Sequence, residues 1–273
     1  MEKKTNLIKF ISCAVLLLIA YLPTINWMVG RWNAEDSYYS HGFLIPLISI
    51  FLAWQRKDKI KDVLIKSDAR GLWLIIAGLL VHIACAALRV GFLSGFSLIF
   101  VIYGLVLFFF GVEMARLMRF PIFFLLTMVP LPLVLVSNLT VKIKLFAAQC
   151  ATFILNHIGF PSVRDGSMIR MPNSVILVEA PCSGLRSLIS LLTLGLLFAY
   201  MLKASFIKKG ILLLSAIPLA VATNMLRIIM LGTVNDLYGE KAAFGFFHDF
   251  SGFLVFALAF AGMLWMYKIL ENR

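Results

Sequence analysis

Nine consecutive residues, Glu179-Ala180-Pro181-Cys182-Ser183-Gly184-Leu185-Arg186-Ser187, bring together a thiol, a carboxylate, two hydroxyls and a guanidinium. They stand directly against the apolar segment 188–202. Ionisable groups beside hydrocarbon are costly, so their presence calls for a reason. The chemistry on offer is that of a thiol nucleophile. A thiol at its ordinary pKa is only a few per cent thiolate at pH 7, and the thiolate is the attacking species. Cys182 precedes a predicted helix, whose positive end, with nearby arginines, favours the charged form. Gly184 lets a backbone come close.

Acyl transfer by a thiolate needs a proton carrier and an anion stabiliser, and the chain offers both. His248 is the natural general acid and base. Arg227 would stabilise a developing oxyanion or hold a substrate carboxylate, and Asn224, three residues earlier and so on the same helical face, would orient it or donate beside it. Each residue also has a plainer reading. A cysteine at a helix end is usually structural, an interfacial histidine is common, and Arg186 or Arg227 alone could snorkel to the interface. Arg227 resists that reading most, because it lies in mid-span, where insertion of an arginine costs roughly 2.5–3.5 kcal/mol.

Other polar residues carry less. His41, in Tyr39-Ser40-His41-Gly42-Phe43, lies near Asp36 and Ser37. It reads first as a helix entrance among interfacial aromatics, with substrate binding as the alternative. His82 and His157 read as structural, and Glu113 with Arg116 as a solvated pair. There is no HExxH motif or His/Cys cluster, so no metal is expected, and no cofactor motif occurs. GxSxG is absent as well, which weakens a serine-protease reading.

The elements that must position these residues are membrane helices. Of the 273 residues 62% are hydrophobic, and the mean hydropathy is +0.97. That composition belongs to a polytopic membrane protein, with several runs able to cross a hydrocarbon core of about 30 Å. The net charge of +12 sits in short loops between apolar runs. That fits the positive-inside rule and contact with anionic lipid, and no basic patch suggests nucleic acid. Of the four cysteines, Cys13, Cys85 and Cys150 lie in apolar runs and show no paired spacing with Cys182. The N-terminal apolar run lacks a small-residue cleavage site and reads as a retained signal anchor.

Hydropathy predicts an all-α protein of about eight transmembrane helices: 7–29, 38–54, 71–88, 91–112, 120–136, 185–202, 210–231 and 250–267. Pro130 and Pro132 should break or kink the fifth. Around Pro172-Asn173, the runs 168–171 and 175–178 predict a small β-hairpin leading into Cys182. It would hold an extended substrate there by strand pairing. Placing the N-terminus, 55–70, 113–119, 203–209 and 268–273 in the cytoplasm collects 16 of the 25 lysines and arginines. Five spans from an inside start end outside, and the 203–209 loop must be inside. Parity therefore assigns 138–159, which is interrupted by Lys142, Lys144, Gln149, Asn156 and His157, to an amphipathic helix on the outer face. Both termini fall in the cytoplasm, and Cys182, Arg227 and His248 share the outer face.

Three motifs in order then resemble a known family. Glu-Ala-Pro-Cys182-Ser-Gly-Leu-Arg-Ser-Leu, Asn224-Met-Leu-Arg227-Ile and Phe-His248-Asp-Phe-Ser-Gly are similar to the signature motifs of the exosortase/archaeosortase family. Tyr-Ser-His41-Gly-Phe also looks like an exosortase feature, and histidine at 248 favours the bacterial side. The resemblance runs from the second span to the last and implies a single integral membrane domain over 1–273. It implies a cysteine protease or transpeptidase of the cytoplasmic membrane. Its substrates would be exported proteins with a C-terminal sorting signal: a Pro-Glu-Pro-like motif, one transmembrane helix and a basic tail. By the same resemblance Cys182 is the nucleophile and Arg227 and His248 its partners, with Asn224, Ser183, Gly184, Arg186, Glu179 and His41 in support. A lipid-linked or amine acceptor is an expected partner, and nucleic acid is not. Some relatives carry an additional C-terminal periplasmic domain, which this sequence does not show. The rival classes are a polytopic transporter with a polar pathway through Arg227 and Asn224, and a non-catalytic assembly factor for surface polysaccharide. No internal repeat supports the former.

Overall fold

A computed structural model describes residues 2–35, 37–178 and 184–272. The chain packs as two compact units, Met1–Pro132 and Leu133–Arg273. Each is built almost wholly of helices.

The first unit begins with α1 (Glu2–Ala20) and α2 (Leu22–Asn33). The expected straight span over 7–29 is a pair bent by 61°. Pro23, in the first turn of α2, has no N–H with which to continue the ladder from α1. A 3-10 turn at Ser40–Phe43 leads into α3 (Leu44–Trp54), and the short basic α4 (Lys57–Asp62) follows. Next come α5 (Arg70–Leu88) and α6 (Gly91–Phe124), the latter running on through a 3-10 turn at Leu125–Met128. Only two residues join α5 to α6, with Arg89 in the left-handed region (φ 55°), so the two must run antiparallel.

The two spans expected at 91–112 and 120–136 are one 38-residue helical run, Gly91–Met128. The charged stretch 113–119 does not interrupt it, because charge does not compete with the backbone ladder. The true break is Gly111, at φ 85° and ψ −175°. The Lys66 carbonyl packs against its Cα where no side chain could stand. The run stops before Pro130 and Pro132, where the rings were expected to end a helix.

A buried polar network lies inside this unit at the α1–α2 break. The Tyr21 hydroxyl meets Ser97 Oγ at 2.9 Å and Thr24 Oγ1 meets Ser94 Oγ at 2.6 Å. His82 Nδ1 reaches the same Ser94 oxygen at 2.7 Å. Its Nε2 lies 3.2 Å from the carbonyl of Ala20, the last residue of α1. The His82 and Tyr21 rings stack at 3.8 Å.

The second unit opens with α7 (Leu133–His157), a single apolar helix long enough to cross a membrane. An amphipathic helix on the outer face is expected over 138–159; the helix found there is longer and, by length and composition, able to cross a membrane instead. The helix starts at Leu133, five residues earlier, which adds a fully apolar turn. Of its polar residues, Lys142, Gln149 and Asn156 recur every seven positions and share one stripe, while Lys144 lies on the opposite face. A three-stranded antiparallel sheet follows in the order β1 (Val163–Asp165), β2 (Met168–Arg170), β3 (Val175–Leu177). It has one strand more than the expected hairpin. Then come α8 (Leu185–Met201), α9 (Phe206–Tyr238), the short α10 (Glu240–Phe244) and α11 (Phe246–Glu271). α9 is the axis of the unit, packing on α7, α8, α10 and α11. Ala147, Ala148 and Ala151 of α7 let its backbone approach Ile228 closely. The buried Ile169 and Ile176 seat the sheet on the same cluster.

Among the described residues, five helices are long and apolar enough to cross a membrane, or six if the bent α1–α2 pair is one broken span. Ser40–Trp54 and Leu185–Met201 are shorter apolar helices. The eight full-length spans expected from hydropathy are therefore not found as such.

Candidate active site

Three helices of the second unit meet where their polar residues lie. α9 presents Asn224 toward the start of α8 and Arg227 toward α11. Gly184, at φ 80°, begins α8, and its carbonyl accepts the Leu188 N–H at 2.9 Å. A Cβ on Gly184 would stand 2.7 Å from Asn224 Cγ. Position 184 is thus closed to any side chain by both conformation and contact. Asn224 is buried there.

Arg227 reaches α11 on the other side. Its Nη2 lies 3.1 Å from His248 Nε2 and donates to the His248 carbonyl at 3.3 Å. Ser251, fully buried, donates its hydroxyl to that same carbonyl at 2.8 Å. Gly252 lies under the guanidinium, where a Cβ would be 3.4 Å from Nη2. His248 and Gly252 are four apart and share one face of α11. Arg227 Nε is buried with no hydrogen-bond partner among the described residues.

The contact fixes the chemistry of the pair. A guanidinium has donors only, so Nε2 must be the acceptor, and the neutral ring then carries its proton on Nδ1. Asp249 Oδ1 lies 3.5 Å from Nδ1. His248 is 28% exposed in its side chain, so the ring is reachable, and Nε of the guanidinium beside it is buried. Among the described residues Arg227 Nε is open to a further acceptor. A neutral imidazole next to a cation with a spare donor can take up a proton and steady an oxyanion.

Helix length sets the depth of the cluster. At 1.5 Å per residue, Arg227 is about 27 Å along α9 from Lys209, and His248 about 30 Å along α11 from Lys268. Gly184 is about 26 Å along α8 from Met201, two residues before Lys203, by the same rule. The lysine-bearing ends belong together, since Lys208 Nζ donates to the Leu270 carbonyl at 3.3 Å. The polar cluster thus stands one hydrocarbon thickness away from the basic end of the unit.

The structure therefore brings Gly184, Asn224, Arg227 and His248 together. His248 lies within the first turn of α11, not before the helix as expected, because the helix starts at Phe246. Arg186 is half-buried in the first turn of α8. Glu179, Cys182 and Ser183 lie outside the described residues, as does Asp36. His41 belongs to the first unit, in the Ser40–Phe43 turn, with its ring 6.0 Å from that of Tyr39. Ser251 and Gly252 went unassigned from sequence, although their spacing of three and four from His248 is the signal that places them. Among the described residues no three His, Cys, Asp or Glu side chains cluster as a metal site.

A multi-pass, mainly helical protein with this Arg–His cluster is the class that fold and site define. The family model described as transmembrane exosortase matches residues 32–265. The chain belongs to the transmembrane exosortase family, which at its broadest is one of membrane protein-sorting transpeptidases. Searches of the curated proteins and of the solved structures returned no match.

Proposed function

We propose that this chain is a membrane-embedded cysteine protease or transpeptidase of the cytoplasmic membrane. It acts on exported proteins whose C-terminal signal combines a Pro-Glu-Pro-like motif, one transmembrane helix and a basic tail. The observation that carries the reading is the Arg227–His248 contact beside Gly184 and Asn224. Cys182 is two residues before Gly184, and two residues of chain reach at most about 7 Å.

In this mechanism Cys182 Sγ, as thiolate, attacks the scissile carbonyl, and the oxyanion is held by Arg227 with Asn224 beside it. His248 Nε2, released by Arg227 Nη2 as the substrate binds, takes the thiol proton before the attack. The imidazolium then delivers that proton to the leaving amine while Arg227 holds the oxyanion. The amine departs with the transmembrane helix, and a thioester joins Cys182 to the exported protein. Water or an amine acceptor then attacks that thioester, which regenerates the thiol.

The active site faces outward in this reading, with both termini in the cytoplasm. Merging 91–112 and 120–136 removes one crossing, and α7 restores it, so parity is unchanged. A substrate helix with a basic tail obeys the same positive-inside rule and delivers its motif to the outer face.

The test is co-expression with a tagged exported protein bearing such a tail, followed by blotting for the shortened form. The intact protein is expected to produce it, and Cys182→Ala and Cys182→Ser to leave the substrate at full length. A shortened product from both variants would remove Cys182 from the mechanism.

A further inference from the structure

The three-stranded sheet has two edges, and they differ. The Met171 N–H donates to the Ser174 carbonyl and the Ser174 N–H to that of Met171, at 2.8 and 3.4 Å, while the Val178 N–H donates to Ser167 at 3.0 Å. With Ile169 opposite Ile176, the alternation of an antiparallel ladder turns the N–H and C=O of Ile176 toward β2. Those of Val175 and Leu177 point away from it. The Val175 carbonyl is already taken by Asn235 Nδ2 of α9, at 3.4 Å. Asp236 Oδ1 fixes the neighbouring turn, accepting from the Asn173 N–H at 3.0 Å and the Ser174 hydroxyl at 3.2 Å. α9 thus clamps one end of this edge and leaves the Leu177 end, from which the chain runs on to Cys182.

The other edge is blunted. On β1 only Arg164 turns its main chain outward, and its charged side chain bends back to the Gly166 carbonyl at 3.2 Å. Charged residues on a short edge strand discourage pairing. On β3 the exposed side chains are aliphatic, with Val175 50% and Leu177 47% accessible.

We infer that the Leu177 edge of β3 binds the substrate's extended segment by adding it as a fourth strand, which leads that segment toward Cys182. The inference rests on the functional reading above and says how the signal is read. Pairing along an edge uses the main chain of every second residue. A segment with prolines two apart loses nothing by it, because their missing N–H groups fall on the side that faces away. The aliphatic face of Val175 and Leu177 then meets the alternate side chains of the bound segment.

Leu177→Pro tests this, since it deletes an outward N–H that the β2–β3 ladder does not use. Processing of the tagged substrate should fall by about tenfold, the worth of a lost hydrogen bond. Leu177→Ala keeps the outward N–H and trims only the side-chain contact, so it should lose clearly less than Leu177→Pro, while Arg164→Pro on the opposite edge should stay within about twofold. Should Leu177→Pro process like Leu177→Ala, the edge has no such role. Where Leu177→Pro does not accumulate in membranes, the wild-type protein in lipid nanodiscs is given synthetic tail peptides, each N-methylated at one amide. Loss at alternate positions is expected, and a flat profile overturns the inference. A wild-type protein that shortens no substrate removes the functional reading and this inference with it. A working wild type with an indifferent Leu177→Pro removes the inference alone.

Discussion

Each unit holds a histidine in a polar cluster among apolar helices, and the two clusters are built to different ends. In the first unit, His82 spends both ring nitrogens on neighbours, Ser94 Oγ and the Ala20 carbonyl. Ser94 also meets Thr24, and Tyr21 meets Ser97 and the Gly78 carbonyl. The network is closed, and it satisfies the carbonyl exposed where α1 breaks before Pro23. In the second unit, Arg227 spends Nη2 on His248 while its buried Nε has no partner among the described residues. A closed polar network in an apolar setting stabilises a shape. A buried cation with an unpartnered donor among the described residues is a candidate for ligand binding.

The largest break in this comparison should come from Arg227→Lys. An ammonium keeps the charge but cannot serve His248 and an oxyanion from one planar fork. Substrate shortening is expected to drop by about 100-fold, the usual cost of removing one oxyanion donor. Membrane levels of the protein should stay near normal, as read by quantitative blot. Near-normal processing would return Arg227 to a snorkelling role.

The two histidines should then part company. His82→Ala leaves the Ala20 carbonyl and the Ser94 hydroxyl short of a partner and should cost about 1–3 kcal/mol of stability. Thermal unfolding in detergent would read that loss, with processing per folded molecule unchanged. His248→Ala should do the reverse, abolishing processing while moving the melting temperature little, since its ring is partly exposed. If both variants melted early and neither lost specific activity, the contrast between closed and open clusters would collapse.

The site was more legible in the sequence than the fold around it. Asn224 and Arg227 could be placed on one face because three residues of any helix put them there, and Pro172-Asn173 marked the turn between β2 and β3. β1 left no such trace. Its three residues Val163-Arg164-Asp165 are all exposed, so no alternation of apolar and polar residues announces it. The charges at 113–119 were misleading, because they suggest a loop while the backbone ladder runs through them. The actual interruption at Gly111 depends on the Lys66 carbonyl, a contact that no local pattern encodes. α7 is longer than expected because its first apolar turn, Leu133 to Val136, lies ahead of the polar-interrupted segment and gives the whole helix the length to cross a membrane.

The smallest effect separates the buried clusters from a surface carboxylate. Asp68 accepts from Arg70 Nη2 at 2.7 Å and from the Arg70 N–H at 2.9 Å. Those hydrogen bonds, from the side chain first, hold its carboxyl at about 2. The unfolded carboxyl titrates near 3.8, so the folded value is depressed. The stabilisation is then fully present above about pH 4 and fades as the pH falls toward 2. Asp68→Asn should melt slightly below the wild type between pH 7 and 5, with the gap closing in acid. The pair is solvent-facing and salt-screened, so the gap should also shrink in high salt. His82→Ala, by contrast, should melt early at any salt, because its lost partners, a backbone carbonyl and a hydroxyl, carry no charge. A salt-sensitive deficit in His82→Ala would mean that its network is not the closed, neutral one described.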